Sequence, residues 1–308
     1  MRLKLGRPDL SQYSELFNVP IANDPSRLTV TFLGVSTLLV SDGQHAFMTD
    51  GFFSRPGLIP VGIGKIKPHS ARIDAALART RVTELDAVVP VHSHYDHALD
   101  SAEVALRTGA TVMGGTSSAN VARGAGLTAE HIRTVANGEA IEVAGGTLTF
   151  IEGEHCPPDR YPGTIDAPVI PPVRTTAYKC GEAWSLVFRH TNGQSILIQG
   201  SAGYRPGALE GQQADVAYLG IGQLGIQSAN YIREYWDETV RRVGAKHVVL
   251  THWDDFFRPL DKPLRALPYA GDDLEVTMRA FTQFAETDGV SLHFPAVWER
   301  EDPWALRG

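Results

Sequence analysis

The chain has 308 residues and a formal net charge of −7, and 43% of its residues are hydrophobic while 20% are charged. This composition is typical of a globular protein and excludes an intrinsically disordered chain. The two cysteines, Cys156 and Cys180, allow one disulfide at most, which excludes a disulfide-stabilised scaffold. The dispersed negative charge also argues against a nucleic-acid partner, because binding to the phosphate backbone requires a basic face.

The first residues of the chain do not predict a secretory signal peptide. Residues 1–9 include basic side chains but no apolar run of signal-peptide length. No segment approaches the ~20 consecutive apolar residues of a membrane-spanning helix. We therefore expect a cytoplasmic protein without a membrane span. Because no linker and no repeat divides the chain, we expect an N-terminal extension at 1–27 and a single domain at 28–308.

The predicted elements of the first half begin with strands, which are indicated by alternating or β-branched apolar residues. An Asp-Gly pair at 42–43 is typical of a hairpin turn, and Gly109 is expected to end a helix. In chain order, we predict strands at 28–33, 37–41 and 46–49, a helix at 72–80, a strand at 87–91, a helix at 101–108 and a strand at 111–113.

The second half repeats this order of strands followed by helices. Asn192-Gly193 predicts a hairpin turn between two strands, and Ser228 is a good helix N-cap. We predict strands at 147–151, 185–190, 195–199 and 215–219, a helix at 228–243, a strand at 246–250 and a helix at 274–286. Two blocks of strands, each followed by helices, favour an α/β fold with two sheets back to back and helices outside.

A proline-rich segment at 156–176 interrupts the second half. It contains six prolines, at positions 157, 158, 162, 168, 171 and 172. Because proline lacks an amide hydrogen and fixes φ, this segment is predicted to be a long, stiff loop. Long loops in compact domains are often functional covers, so a lid is one interpretation.

Four potential metal ligands follow the predicted strand at 87–91 within six residues, as His92-Ser93-His94-Tyr95-Asp96-His97. In an extended segment, side chains two residues apart point to the same side, so His92 and His94 can bind one metal together. Where the chain turns into the next helix, Asp96 and His97 are directed to a neighbouring position. Imidazole and carboxylate are ligands of zinc and similar divalent ions, and the segment therefore predicts a metal site.

This His-x-His-x-Asp-His pattern resembles the motif of the metallo-β-lactamase superfamily, and the resemblance extends in the same order over residues 28–295. It implies four αββα layers, with two mixed β-sheets back to back and helices outside. The end of the motif, from His94 to Asp100, is most similar to the branch that contains N-acyl-phosphatidylethanolamine phospholipase D and sugar-phosphate lactonases.

The resemblance also implies two ligand sets. A histidine after a mid-chain strand matches His155, and a histidine after a late strand matches His252. The first metal site would then comprise His92, His94 and His155, and the second would comprise Asp96, His97 and His252. Asp50 matches an aspartate that follows an early strand. It is either a turn residue or a hydrogen-bond partner of a ligand or of the metal-bound water.

The chain departs from the family pattern at the turn after the strand at 195–199. The family usually has Gly-Asp there, with the aspartate bridging both metals, whereas this chain has Gly200-Ser201. Asp215 is the alternative candidate for the bridge, although Gly200 matches the pattern better. Because serine is neutral and two cations about 3.5–4 Å apart need anions between them, we expect the second metal to be weak, exchangeable or dependent on a bridging hydroxide or substrate anion.

Three further residues are candidates for the substrate pocket. Tyr204 and Arg205 follow the Ser201 turn and could orient a substrate oxyanion, and Trp253 follows the ligand His252. Ordinary packing is the alternative role for each of them. Cys156, next to His155, is interpreted as a small buried or loop thiol rather than a ligand.

The resulting functional prediction is a metal-dependent hydrolase. A hydroxide bound to zinc at the three-histidine site would attack an ester, lactone, amide or phosphodiester of a small-molecule substrate, and Asp96 would orient the nucleophile or accept its proton. Zn²⁺ is expected to be bound firmly once and weakly a second time, with Mn²⁺ or Fe²⁺ as alternatives. A rival hypothesis is a non-catalytic or weakly active binding protein with an incomplete dinuclear site. A di-iron redox protein with a flavin partner is a third.

Overall fold

Fourteen strands form two seven-stranded sheets within residues 4–24 and 26–306, which the computed structural model describes. The strands of the first sheet are β1 (Thr29–Phe32), β2 (Leu38–Ser41), β3 (Ala46–Thr49), β4 (Ala87–Val89), β5 (Thr111–Gly114), β6 (Ile132–Thr134) and β14 (Arg300–Glu301). Those of the second sheet are β7 (Ala140–Val143), β8 (Gly146–Glu152), β9 (Trp184–His190), β10 (Ser195–Gln199), β11 (Val216–Gly220), β12 (His247–Thr251) and β13 (Ser291–His293).

The described helices connect these strands. They are α1 (Leu58–Ile63), α2 (Ser70–Thr80), α3 (Tyr95–Ala98), α4 (Ser101–Thr108), α5 (Thr116–Gly124), α6 (Ala229–Trp236), which a π-helical turn continues over Asp237–Arg241, and α7 (Leu274–Asp288). Short 3₁₀ turns occur at Leu10–Leu16, Ala129–His131, Thr175–Ala177, Leu224–Ile226 and Pro303–Ala305. None of the helices in this part of the chain combines the length and apolar character needed to cross a lipid bilayer.

Both sheets are mixed, and each has an antiparallel and a parallel half. The first sheet has the order β14-β1-β2-β3-β4-β5-β6, with parallel pairing from β3 to β6. The second has the order β13-β12-β11-β10-β9-β8-β7, with parallel pairing from β10 to β13. Parallel neighbours end at the same edge of a sheet, so the loops after β3, β4, β10 and β12 can converge on one site.

Strand alternation creates the layers. Phe47 on β3 points between the sheets, where its ring lies 5.1 Å from the ring of Phe188 on β9. Its neighbour Met48 points to the opposite face and packs with Ile73 of α2 and Val104 of α4. On the far side, α6 and α7 cover the second sheet with side chains that include Trp236 and Phe281. These four layers confirm the αββα sandwich.

Most predicted elements are present with shifted ends. The predicted helix at 101–108 and strand at 195–199 have the observed bounds, and Gly109 adopts the left-handed conformation at the end of α4. The predicted helix at 228–243 is α-helical only to Trp236. Four strands and three helices were not predicted, namely β6, β7, β13, β14, α1, α3 and α5.

Candidate metal centre

The first cluster brings together three histidines from two sheets. His92 and His94 follow β4, and His155 follows β8. Ligand nitrogens of the three lie within 4.8 Å of one another, and His92 Nε2 is 3.1 Å from His94 Nδ1. Two ring nitrogens that face each other this closely need a proton or a cation between them. The donor set therefore fits a divalent metal ion of the zinc type.

The second cluster lies beside the first and consists of Asp96, His97 and His252. The Oδ2 atom of Asp96 is 3.6 Å from Nε2 of His97 and 3.6 Å from Nε2 of His252. His97 Nε2 is buried without a hydrogen-bond partner among the described residues. A buried nitrogen of this kind is costly unless something binds it, so this cluster also fits a cation.

Three of the five clustered histidines have lowered pKa values, which favour the neutral form of the ring. Burial, followed by repulsion from neighbouring histidines, holds the pKa of His92 and of His97 well below the usual value. Burial also lowers the pKa of His155 to about 4. Neutral imidazole has a free lone pair for a metal, so at neutral pH these side chains need no deprotonation before binding.

Carboxylate and carbonyl oxygens contact the far side of three ligand rings. Asp50 Oδ2 lies 2.8 Å from His97 Nδ1, and the carbonyl of Cys156 lies 2.6 Å from His155 Nδ1. Asp159 Oδ1 lies 3.1 Å from His94 Nε2. Such partners fix which ring nitrogen carries the proton and orient the ring. Asp159 was not predicted from the sequence; its only signal is its position in the proline-rich loop, four residues after His155.

The loops around the two clusters contain several residues with a strained backbone. Val35, Asp50, Arg55 and His252 all have positive φ, an uncommon conformation for residues other than glycine. The amide of His252 donates to the carbonyl of Val35 at 2.8 Å, and the amide of Val35 donates to Asp254 Oδ1 at 2.8 Å. The other oxygen of Asp254 forms a fully buried ion pair with Arg55. Strain of this kind persists only where surrounding contacts enforce it, and it concentrates at functional sites.

Ser201 lies in the turn after β10, next to the loop that carries His155. Its hydroxyl accepts a hydrogen bond of 2.9 Å from the amide of Cys156. It therefore connects two loops of the site but supplies no negative charge. Asp215, the alternative candidate for the bridge, binds the amide of Ser195 at the opposite end of β10 and belongs to neither metal cluster.

The three predicted pocket residues do not share one environment. Trp253 is 2% exposed, packs against Phe294 and donates to the carbonyl of Leu250, so it is a core residue and the pocket interpretation is corrected. It points away because His252 and Trp253 are adjacent and face different sides. Tyr204 packs on Tyr231 and binds Glu234.

Arg205 forms an ion pair with Glu152 at the surface, where both side chains are 49% exposed. An open cavity of about 460 Å³ adjoins His155 instead, and its lining includes Asp159, Thr164, Cys180 and Glu182. This volume is within the range of small-molecule sites.

Comparison with known proteins identifies the family. The family model described as the β-lactamase superfamily domain matches residues 62–253. A comparison with curated protein sequences gives no significant match.

Three solved structures show the likeness in fold. A proposed metal-dependent hydrolase from Parabacteroides distasonis has a TM-score of 0.54 at 13% identity, covering 88% of this chain and 93% of its own. A proposed metal-dependent hydrolase from Veillonella parvula has a TM-score of 0.55 at 15% identity, with coverage of 89% and 98%. The di-iron β-hydroxylase CmlA from Streptomyces venezuelae has a TM-score of 0.55 at 12% identity, with coverage of 90% and 54%.

At these sequence identities the solved structures show only that the fold is shared. The family model matches more than half of the chain and therefore shows family membership. The chain belongs to the metallo-β-lactamase superfamily.

Proposed function

We propose that this protein is a zinc-dependent hydrolase of small-molecule esters, lactones or phosphodiesters. The observation that carries the proposal is the pair of largely buried clusters at one edge of the sheets, one with three histidines and one with Asp96 between two histidines. The family supports it, as do two structural neighbours whose names describe metal-dependent hydrolases.

In this proposal His92, His94 and His155 hold the first cation, and Asp96, His97 and His252 hold the second. A divalent cation bound by three histidines lowers the pKa of a coordinated water towards about 7 and polarises a substrate oxygen. Mn²⁺ and Fe²⁺ suit similar nitrogen and oxygen donors, so the metal must be determined by analysis.

The chain's own residues supply positioning and proton transfer. Asp96 is 8% exposed, and its Oδ2 lies 3.6 Å from Nε2 of both His97 and His252, where the carboxylate can accept the proton of the attacking water. Asp50 and the Cys156 carbonyl keep the rings of His97 and His155 in place. Burial of the histidines excludes bulk water, which strengthens the electrostatic interactions at the site.

The two metals are proposed to bind with different strength. The first cluster has three histidines, whereas the resemblance to the family puts the neutral Ser201 where the family usually has a bridging carboxylate. Two divalent cations a few ångströms apart repel strongly, and Asp96 alone offsets only part of that repulsion. We therefore propose one firmly bound and one exchangeable zinc ion.

The neutral Ser201 side chain also favours a second candidate, a binding protein of the same fold with little or no turnover. The likeness to the di-iron β-hydroxylase concerns the fold alone and does not favour redox chemistry for this chain.

The test is metal analysis combined with a substrate panel. Protein stripped with a chelator is reloaded with Zn²⁺, Mn²⁺ or Fe²⁺ and assayed on carboxylic esters, lactones, phosphodiesters and thioesters. The proposal expects at least one bound metal per chain and turnover that disappears on stripping and returns on reloading. Turnover that persists without metal would contradict a metal-dependent hydrolase. Metal binding without turnover on the panel would favour the binding protein.

A further inference from the structure

The proline-rich loop reaches the first metal cluster through a single carboxylate. His94 presents Nδ1 to His92 Nε2 at 3.1 Å, so its other nitrogen, Nε2, points away from the cluster. Nε2 lies 3.1 Å from Asp159 Oδ1 and 3.4 Å from the carbonyl of Tyr161. Both acceptors belong to the loop predicted at 156–176.

We propose that Asp159 is a positioning residue that keeps the proton of His94 on Nε2 and thereby reserves Nδ1 as the ligand of the first metal. The proposal rests on the function proposed above and adds a role for the proline-rich loop in metal binding.

The contact between Asp159 and His94 matters because it decides which nitrogen of the imidazole ring carries the proton. A neutral ring carries one proton, and either nitrogen can hold it. If the proton moves to Nδ1, His94 ceases to be a ligand and the first cluster loses one of three donors. A carboxylate accepts a hydrogen bond from Nε2–H but gains nothing from a bare nitrogen, so Asp159 favours the productive tautomer. Its negative charge also makes the ring a stronger donor to a cation.

The loop is anchored firmly enough to hold this carboxylate in place. Asp159 Oδ1 accepts the amide of Tyr161 at 2.9 Å, and the carbonyl of Tyr161 accepts the amide of Cys180 at 2.8 Å. Cys180 in turn accepts the amide of Ser93, the neighbour of His94, at 2.8 Å. Asp159 therefore contacts His94 directly, and a second connection runs from Asp159 through the backbones of Tyr161 and Cys180 to Ser93.

The same groups could in principle form a separate cation site, since His94, Asp159 and Cys180 offer ligand atoms within 4.8 Å of one another. Two observations favour the orienting role. The Asp159–His94 distance is that of a hydrogen bond. The carbonyl of Tyr161, which lies 3.4 Å from the same nitrogen, is a second hydrogen-bond acceptor that suits a protonated Nε2.

The test compares zinc affinity in variants of the full chain. Asp159→Ala removes the acceptor and Asp159→Asn removes only the charge, while Asp159→Glu keeps a carboxylate. Asp166→Asn is the matched control, because Asp166 is an exposed aspartate of the same loop that accepts a hydrogen bond from the Thr164 hydroxyl and belongs to no metal cluster of the described residues. Zinc affinity is measured by competition with a chelator, and thermal unfolding confirms that each variant folds.

We expect Asp159→Ala to bind the first zinc about 10–100-fold more weakly than wild type. Asp159→Glu should recover part of that loss and Asp166→Asn should bind as wild type. Histidine ¹⁵N NMR of the wild type gives a second readout that folding of a variant cannot affect. In the zinc-loaded protein His94 should show a protonated Nε2 and a metal-bound Nδ1.

A protonated Nδ1 on His94 in wild type would overturn the proposal, as would unchanged zinc affinity in Asp159→Ala. Zinc binding by the wild-type protein distinguishes failure of this proposal from failure of the proposed function. If wild-type protein binds no zinc, both proposals fail. If wild type and Asp159→Ala bind zinc equally well, only the role of Asp159 fails.

Discussion

The Nδ1 atom of His97 lies 2.8 Å from the Oδ2 atom of Asp50, and the other oxygen of Asp50 accepts the amide of Val91 at 2.9 Å. Asp50, which follows β3, thus contacts both the residue just before the metal motif, Val91, and the last residue of the motif, His97. Burial raises the pKa of Asp50 well above its usual range, so a nearby positive charge, such as a bound cation, would favour its ionised form.

Replacing Asp50 tests this connection. In Asp50→Asn the amide can donate to His97 Nδ1, which would force the proton onto the wrong nitrogen and remove His97 Nε2 as a ligand. We expect second-metal affinity to fall about 10–100-fold, measured by isothermal titration with zinc. Asp42→Asn, in a hairpin turn distant from the motif, is the control. Equal second-metal affinity in wild type and Asp50→Asn would show that the contact is structural only.

Ser201 offers the converse experiment. Ser201→Asp adds a carboxylate at the position that bridges the metals in the family pattern, and its oxygen can still accept the amide of Cys156. We expect the affinity for the second zinc to rise by roughly tenfold or more, because the added anion offsets cation repulsion. Metal content after dialysis measures this directly, with Asn192→Asp as the control, because Asn192 is an exposed residue of the turn before β10, at the end opposite Ser201. Unchanged occupancy would mean that position 201 does not face the metals.

The buried ion pair of Arg55 and Asp254 is expected to stabilise the strained loops. Removing one partner leaves an uncompensated buried charge, so Arg55→Met should lower the free energy of unfolding by about 3–5 kcal/mol in urea titrations. Arg205→Met breaks the exposed pair with Glu152 and should cost less than about 1 kcal/mol. Similar losses in the two variants would contradict the special role of the buried pair.

Glu301 gives a pH dependence that is separate from the metal site. Burial raises the pKa of its carboxyl from 4.5 to about 8, even though the amide of Ala296 donates to it. The folded pKa exceeds the unfolded one, so the stability associated with Glu301 is fully present below pH 4.5 and is lost as the pH rises through about 8.

Glu301→Gln should remove this loss. We expect the variant to gain stability relative to wild type as the pH increases from about 5 to about 9, by roughly 1–3 kcal/mol in denaturant titrations. A difference that stays constant over this range would show that the carboxyl is not held protonated in the folded chain.

The sequence predicted an element correctly where a short run of residues determines it. The predicted end of α4 at Gly109 and the grouping of metal-binding residue types from His92 to His97 are examples. Helix α6 shows the limit, because its shift to π-helical geometry after Trp236 depends on packing that periodicity does not encode.

The site shows the same division. The residues that form the two clusters could be predicted from their order and type. Asp159, in contrast, is 65 residues from His94 in the sequence, and its approach to His94 depends on how the loop folds back. For Trp253 the sequence left two roles open, pocket lining or ordinary packing, because adjacency to a predicted ligand says little about which way a side chain points. The domain boundary at residue 28, the cytoplasmic location and the absence of a nucleic-acid partner stay predictions.

The metal content of three variants tests the central claim most directly. His94→Ala and His155→Ala each remove one donor from the first cluster, and His45→Ala removes an exposed histidine outside both clusters. After reloading with zinc and dialysis, wild type and His45→Ala should retain at least one zinc ion per chain, whereas His94→Ala and His155→Ala should retain almost none. Full zinc retention in His94→Ala and His155→Ala would contradict a metal centre built on these histidines.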